Sequence, residues 1–417
     1  MSAGTRLSGT LTDIAREYGT PAYVYRLDAV RTAAAALRAA LPPAVRAYYS
    51  VKANPHPLLA AALVSAGFDL EISSIGELAV AATTGTTGRS LYTGPGKTEE
   101  ELVAALRAGV RLFSVESRTE HDRLLRLTDR TEATDVRHLV RLNPAGAQAP
   151  AGLRMAGAPS QFGVAVEQLE AGEPMLTAAG RLRFAGFHLY SASNVADGPA
   201  LLTELSGNAA VVAAVARNTA AVPEVVDIGG GFAAPFAVPG ARTAYPDLRA
   251  GLAAALDAHL PGWRSGEPAV AVESGRHLVA EAGVLLTTVM DVKTTGGQRY
   301  IVCDAGVNAL GGMSGLGRLL PPRAQPERHE PGGQEGVLVG PLCTPLDILN
   351  RRVELTEPAV GDVLAIPNTG AYGLTAGLVA FLGRPMPVEV VLDGTDVAGA
   401  RRLMLSETEV GCREFLG

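Results

Sequence analysis

The chain has 417 residues, with 36 Lys plus Arg against 42 Asp plus Glu and a net charge of −6. No basic block runs through it, which argues against a nonspecific nucleic-acid surface. Three cysteines, Cys303, Cys343 and Cys412, exclude a disulfide-dense scaffold, and no apolar run approaches the roughly 20 residues of a membrane span. The N-terminus lacks the basic-then-apolar order of a signal peptide, so a cytoplasmic location without membrane association is expected. At roughly 100–200 residues per domain, two or three domains are expected.

From Arg46 onward, strand-like runs alternate with Ala/Leu-rich helical stretches. The expected strands are 46–51, 68–72, 90–93, 111–115, 137–142, 184–190, 225–228 and 269–273, with helix formers over 58–66, 75–83 and 98–108 between the early ones. Short apolar strands alternating with helices argue for a parallel sheet covered by helices. Eight such units fit an α/β fold of the (β/α)8 barrel type. An open doubly wound sheet is the competing reading, and no early Gly-x-Gly-x-x-Gly loop supports it.

After Glu281 the rhythm changes. Residues 284–292, 299–304, 336–340, 362–366 and 388–392 read as strands with few helices between them, a mostly β C-terminal domain. Tyr23-Val24-Tyr25 ahead of the barrel is a further strand candidate that could join this domain. The expected division is therefore 28–280 for the barrel, and 1–27 with 281–417 for a β-sandwich or β-barrel-like domain. The Pro-, Arg-, Glu- and Gly-rich stretch 319–336 reads as an exposed loop.

Several residues could carry chemistry. Lys52 follows the first barrel strand, at the strand end that faces the site in such barrels. There it could lose hydration and act as a free amine toward an aldehyde, or be a solvated lysine. His188 near the end of the sixth run could stack on a planar ring, move a proton, or be a satisfied rim histidine. Asp227-Ile228-Gly229-Gly230-Gly231-Phe232 places three glycines after an apolar strand. They are either a backbone N–H nest for a single phosphate or a tight turn. Glu273-Ser274-Gly275-Arg276 ends the eighth strand: Gly275 and Arg276 could add to a phosphate site, and Glu273 could pair with a protonated ring nitrogen. Phosphate sites of such barrels fall after strands seven and eight, which raises the phosphate reading.

Cys343, in Gly340-Pro341-Leu342-Cys343-Thr344-Pro345-Leu346-Asp347, lies in a shaped loop as an acid, a nucleophile or a small buried hydrophobe. Tyr372, in Asn368-Thr369-Gly370-Ala371-Tyr372-Gly373, could donate to a phosphate or pack. The cysteines lack metal-ligand spacing and the histidines are scattered, so no metal site is expected. A lysine, a stacking histidine, a phosphate nest and a carboxylate for a ring nitrogen are the equipment for pyridoxal 5′-phosphate.

At this point the chain resembles the family of pyridoxal-phosphate decarboxylases with the alanine racemase-like barrel (fold-type III), which includes diaminopimelate, ornithine and arginine decarboxylases. The blocks Tyr49-Ser50-Val51-Lys52-Ala53-Asn54, Ser74-Ile75-Gly76-Glu77-Leu78, 227–232, 273–276, 340–347 and 370–373 match in order, between about Pro21 and Pro387. The resemblance implies that Lys52 holds the cofactor covalently, His188 stacks on its ring and Glu273 pairs with the ring nitrogen. It implies that Gly229, Gly230, Gly231, Gly275, Arg276 and Tyr372 hold the phosphate. It implies a head-to-tail homodimer with shared sites, in which Cys343 and Tyr372 come from the neighbouring chain and Cys343 reprotonates the α-carbon after carbon dioxide leaves.

The departures bear on substrate. Family members acting on free diamino or basic amino acids place a carboxylate directly after the cysteine, where this chain has Thr344. The Arg-Pro-x-Leu-Tyr stretch of diaminopimelate decarboxylases is replaced after Gly306 by Val307-Asn308-Ala309-Leu310-Gly311-Gly312-Met313. The usual Ser-Lys-Phe-Gly appears as Ser160-Gln161-Phe162-Gly163. A distal ammonium loses its evident partner, and burying it unpaired is costly.

Residues 155–163 and 343–347 resemble a subgroup of specialised metabolism. It holds butirosin-type glutamyl-carrier-protein and 3-methylaspartyl-carrier-protein decarboxylases and decarboxylases of citryl-diamino-acid siderophore intermediates. The expectation is α-decarboxylation of an amino acid with an extended acyl tail on an acyl carrier protein, in natural-product (antibiotic) biosynthesis. The alternatives are a siderophore intermediate, a free amino acid such as diaminopimelate, a racemase or epimerase with the same cofactor, and a non-catalytic protein of this fold. Thr344, Asp347, Gln161 and Ser193 are the substrate-side candidates. Arg318, Arg323, Arg328, Arg351 and Arg352 are candidates for docking an acidic carrier.

Overall fold

The apolar runs from Arg46 onward pair as a closed cylinder in a computed structural model that describes residues 9–144, 153–154, 160–169, 172–312, 323–327 and 333–404. The barrel strands are Arg46–Ser50, Asp69–Ile72, Leu91–Tyr92, Leu112–Val115, Val136–Asn143, Leu182–His188, Val225–Asp227 and Ala269–Ser274. Each pairs parallel with the next, and the eighth returns to the first with Glu273 opposite Tyr48. Closure leaves no unpaired edge in the cylinder. Tyr48, Leu91, Leu112, Leu139, Ala185, Val225 and Ala271 form one buried apolar cluster, as alternation along inward-facing strands requires.

The strand-to-helix turns carry legible start signals. Ser74, Thr98 and Ser117 accept the backbone N–H of Glu77, Glu101 and Glu120, each three residues on, at the starts of helices Ile75–Thr83, Glu99–Arg107 and Arg118–Thr131. Such caps satisfy donors that the helix itself leaves open, each contributing about 1 kcal/mol. Helix Gly198–Thr219 is long and apolar enough to cross a membrane by length and composition alone. Leu201, Leu205, Asn208 and Val212 along it are buried within the barrel unit, as the inner face of a covering helix should be.

The other unit comprises Met1–Val30, Pro235–Ala241 and Val279–Gly417; the barrel unit comprises Arg31–Ala234 and Arg242–Leu278. Thus 235–241, which chain order assigns to the barrel, belongs with the β unit. Its sheet runs Ile348–Leu355, Gln334–Val339, Gln298–Cys303, Gly283–Thr295, Ala22–Arg26, Val388–Asp393, Asp396–Arg402, with Val363–Ile366 also paired to Gly283–Thr295. The N-terminal strand is antiparallel to Gly283–Thr295, with Tyr23 opposite Leu285, and parallel to Val388–Asp393, with Tyr23 opposite Glu389. Ile14, Val24, Leu286, Ala365 and Val390 meet in one core.

Among the described residues of the β unit, two strands lie outside the expectation, Ile348–Leu355 and Asp396–Arg402. Each carries two arginines that break its apolar run; Asp396–Arg402 is mostly exposed, whereas Ile348–Leu355 buries Leu349, Val353 and Leu355 and exposes Arg351 and Arg352. The exposed-loop reading of 319–336 needs correction where the chain is described. Ala324 is fully buried and donates to Leu349 O, Gln325 donates to Ala237 O and Glu327 to Ala365 O, while Gln334–Gly336 already belong to a strand. Backbone pairing, invisible in composition, ties this polar stretch down. The rest of that stretch, with Arg318 and Arg328, and residues 155–159 of the subgroup motif lie outside the described residues.

Candidate active site

The chain has three lysines, Lys52, Lys97 and Lys293, and the fold separates them sharply. Lys293 lies on an exposed part of a β-unit strand, and Lys97 is buried with its ammonium bound to Gly94 O, Ser114 O and Glu120. Lys52 sits in the single turn Val51–Ala53 directly after the first barrel strand. Its Nζ lies 3.0 Å from both oxygens of Glu71 and 5.7 Å from the centre of the Tyr190 ring.

Of the two readings left open for Lys52, this ion pair argues against the desolvated free amine. Lys52 is an ammonium paired with a carboxylate, and its side chain is 41% exposed. Burial works to raise the pKa of Glu71, but the charge of Lys52 and hydrogen bonds from Thr93, Ser50 and Lys52 outweigh it and hold the carboxyl at about 2. Six residues further on, Glu77 goes the other way. Burial and the Glu71 charge push it up to about 7, against the Ser73 N–H and Lys52.

Across the mouth, His188 ends the sixth strand with its ring buried. Its Nδ1 is 2.7 Å from Ser114 Oγ and its Nε2 is 3.1 Å from Glu273 Oε1 on the eighth strand. Asp227 closes the seventh strand, and its Oδ1 accepts the Gly229 N–H at 2.8 Å. Burial and the nearby Glu273 push Asp227 well above the usual carboxylate range, with the Gly229 N–H opposing. His188 Nε2, Asp227 Oδ2 and Glu273 Oε1 are buried without hydrogen-bond partners. Ligand atoms of the same three residues lie within 4.8 Å of one another.

Buried polar atoms left open in this way mark a place where a polar ligand completes the structure. The set has the geometry of a cation site, and it equally suits a protonated ring nitrogen beside a carboxylate. Lys52, with an amine able to condense with an aldehyde, stands at the same mouth and fits the second.

The glycine turn is tight for a structural reason as well. A Cβ on Gly230 would lie 2.1 Å from Glu273 O, and one on Gly229, at φ +77°, would lie 2.4 Å from Leu189 O. Because the Gly229 N–H is spent on Asp227, its backbone braces the turn instead of donating to a phosphate as the sequence suggested. Arg276 follows Gly275 and its Nη2 reaches Ser193 Oγ at 3.5 Å, which places Ser193 beside the expected phosphate residues.

In the β unit, Cys343 is exposed. Thr344 Oγ1 accepts the Leu346 N–H at 3.3 Å. Asp347 is buried, and its two oxygens accept the N–H groups of Val307 and Leu342 at 2.7 Å each. Burial raises the Asp347 pKa in spite of those two bonds. Tyr372 adopts φ +55° and its carbonyl accepts the Gly312 N–H. Gln161 is exposed next to Phe162, whose ring lies 4.8 Å under Arg141.

Sequence reasoning missed Glu71, Tyr190 and Ser114. Glu71 had a signal, a carboxylate in the short run 68–72 near its mouth end. Tyr190 had one too, two residues beyond His188.

Residues 27–280 match the family described as pyridoxal-dependent decarboxylase, pyridoxal binding domain. An L-glutamyl-[BtrI acyl-carrier protein] decarboxylase of Niallia circulans is 28% identical over 91% of this chain and 90% of its own. A diaminopimelate decarboxylase of Actinosynnema pretiosum subsp. auranticum is 33% identical over 95% and 89%, and further diaminopimelate decarboxylases match over similar lengths. The crystal structure of diaminopimelate decarboxylase from M. jannaschi shares the fold, with a TM-score of 0.79 at 22% identity over 97% of this chain and 94% of that one. With a closed barrel, a lysine at its mouth and a family match over well over half its length, the chain belongs to the pyridoxal-dependent decarboxylases, carboxy-lyases that use pyridoxal 5′-phosphate to decarboxylate an amino acid.

Proposed function

We propose that Lys52 binds the cofactor's aldehyde carbon and that Glu273 faces its ring nitrogen. His188 covers the ring, and Gly230, Gly231, Gly275, Arg276 and Tyr372 receive the phosphate. When bound, pyridoxal phosphate supplies an electron sink for the pair left behind as the Cα–carboxylate bond breaks. The residues do the rest. Glu273 holds a proton at the ring nitrogen by its negative charge, and the raised pKa of Asp227 lessens the repulsion between two carboxylates in one dry site. Glu71 steadies Lys52 as an ammonium, so the amine is released only when that proton moves. Cys343 Sγ–H delivers a proton to the α-carbon after carbon dioxide has left, and the thiolate recovers its proton from water.

Two substrate classes follow. The relatives' names support a free diamino acid such as diaminopimelate, and this is the reading the comparisons favour. One observation in this chain's own loop supports a tail without a distal ammonium, such as an aminoacyl carrier-protein thioester. Thr344 stands after Cys343, and the next carboxylate, Asp347, has both oxygens committed to backbone N–H groups. A carrier protein, the partner named in one relative, could meet Arg323, Arg351 and Arg352, which are exposed, although Arg352 is paired with Glu335.

Offering free diaminopimelate, lysine and ornithine beside glutamyl- and 3-methylaspartyl-carrier proteins and citryl-diamino acids, with carbon dioxide and product mass followed, separates the readings. The loop reading expects the extended substrates to lead. A ten-fold lead in kcat/KM for a free diamino acid, about 1.4 kcal/mol of transition-state binding, overturns it and establishes the other.

A further inference from the structure

Ser114 bonds neither Lys52 nor the glycine turn, yet it is the residue that contacts the outer nitrogen of the His188 ring. It lies on the fourth strand, fully buried, with Oγ 2.7 Å from Nδ1. On the far side of the ring, Nε2 stands 3.1 Å from Glu273 Oε1 without hydrogen-bond alignment. The two ring nitrogens therefore face unlike surroundings, a hydroxyl on one side and carboxylates, Glu273 and Asp227, on the other.

From this geometry we infer that Ser114 is a positioning residue that holds His188 as the neutral Nε2–H tautomer. The inference rests on the reading of His188 and Glu273 as the cofactor's ring site. If Nδ1 carried the proton, the Nε2 lone pair would lie 3.1 Å from the Glu273 oxygen, a repulsion that a dry site does not screen. With the proton on Nε2 that contact is attractive, and Nδ1 is left as an acceptor for the Ser114 O–H. In a doubly protonated ring Nδ1–H would donate to Ser114, and the hydroxyl proton would then need another acceptor. Among the described residues Ser114 Oγ has His188 as its hydrogen-bond partner.

The serine is itself held. Its carbonyl accepts from Lys97 Nζ at 2.7 Å, and Lys97 is ion-paired with Glu120, the two side chains being 1% and 7% exposed. Glu120 also accepts the Glu116 N–H at 2.9 Å. A buried ion pair adds little net stability over an apolar pair of the same shape, so orientation is a better account of it than stability. The run Glu120, Lys97, Ser114, His188, Glu273 leads from a covering helix to the barrel mouth, so the ring's tautomer and tilt are set from behind.

The test uses the full-length chain with 15N-labelled histidine, before and after loading with pyridoxal phosphate. The chain has seven histidines, and His188→Gln identifies the signal of interest. The expected wild-type spectrum shows a protonated Nε2 and an accepting Nδ1. Ser114→Ala should give mixed tautomers and a Kd for pyridoxal phosphate roughly ten-fold higher, about 1.4 kcal/mol, and Ser114→Thr should restore both. A wild-type Nδ1–H tautomer overturns the inference, and it decides even if Ser114→Ala does not fold. An alanine variant with unchanged spectrum and affinity overturns it equally. Wild-type chain that takes up no pyridoxal phosphate overturns the ring-site reading instead, a result read separately from the tautomer.

Discussion

Lys52 and Glu71 show how one residue's charge is governed by the strand beside it. Glu71 is on the second barrel strand, and its buried carboxylate receives Lys52, Thr93 and, more distantly, Ser73. An ammonium so placed is a poor nucleophile until its proton leaves, so under the proposed role of Lys52 the ion pair would hold back the amine. The expected outcome of borohydride treatment of the cofactor-loaded chain is a phosphopyridoxyl adduct on Lys52. In Lys52→Ala no adduct should form, and activity should fall at least about 1000-fold, roughly 4 kcal/mol. Peptide mapping checks this, and an adduct on Lys97 or Lys293 would remove Lys52 from its role.

At the scale of elements, helix Arg118–Thr131 and the fifth strand Val136–Asn143 carry a buried histidine pair, His121 and His138, with ring centres 5.0 Å apart. Burial pushes His138 down to about 4, with the Met175 carbonyl opposing and the His121 charge adding. A histidine depressed in the folded state binds its proton more readily when unfolded. The stability it contributes is therefore present above the unfolded value of about 6.5 and is lost as pH falls from there toward 4. Denaturant melts at pH 7, 6 and 5 should show stability falling by up to about 1.4 kcal/mol per pH unit from this residue. His138→Asn should flatten that slope, and an unchanged slope would show that the loss arises elsewhere.

These elements also show what was legible in the sequence. The Ala/Leu-rich helix formers over 75–83 and 98–108 fell on helices Ile75–Thr83 and Glu99–Arg107, whose starts the local caps Ser74 and Thr98 fix. The eight apolar runs marked the barrel strands, because burial on both faces leaves little room for polar residues. Lys52, His188 and Glu273 were legible as strand-end residues. Ser114 and Asp227 were harder: Ser114 sits inside an apolar strand, and Asp227 reads as the start of a glycine turn. Their roles come from contacts between strands 74 residues apart for Ser114 and His188, which no local pattern encodes. Strand Asp396–Arg402 was hidden because its residues are mostly exposed and it is held by backbone pairing to Val388–Asp393.

At the scale of the molecule, the reading of shared sites in a homodimer makes a sharp prediction. Lys52→Ala and Cys343→Ala chains, each nearly inactive alone, should regain activity when mixed and allowed to exchange subunits, because one site in a mixed dimer receives both native groups. Recovery should approach about a quarter of the wild-type rate at equal mixing, from half the dimers having one good site of two. No recovery after exchange is verified by mass would mean that both groups serve a site from one chain. The N-terminal strand Ala22–Arg26 has a different consequence. Its two neighbours, Gly283–Thr295 and Val388–Asp393, are made long after it, and at roughly 5–20 residues per second the second arrives roughly 20 to 70 s later. Until Gly283–Thr295 has been made, Tyr23, Val24 and Tyr25, all buried in the finished sheet, have no native partner strand, and by then all eight barrel strands, the last ending at Ser274, have been made. The nascent chain is therefore expected to carry a completed set of barrel strands while Ala22–Arg26 still lacks its sheet, and to be most open to chaperones, or to another ribosome's copy, at that strand.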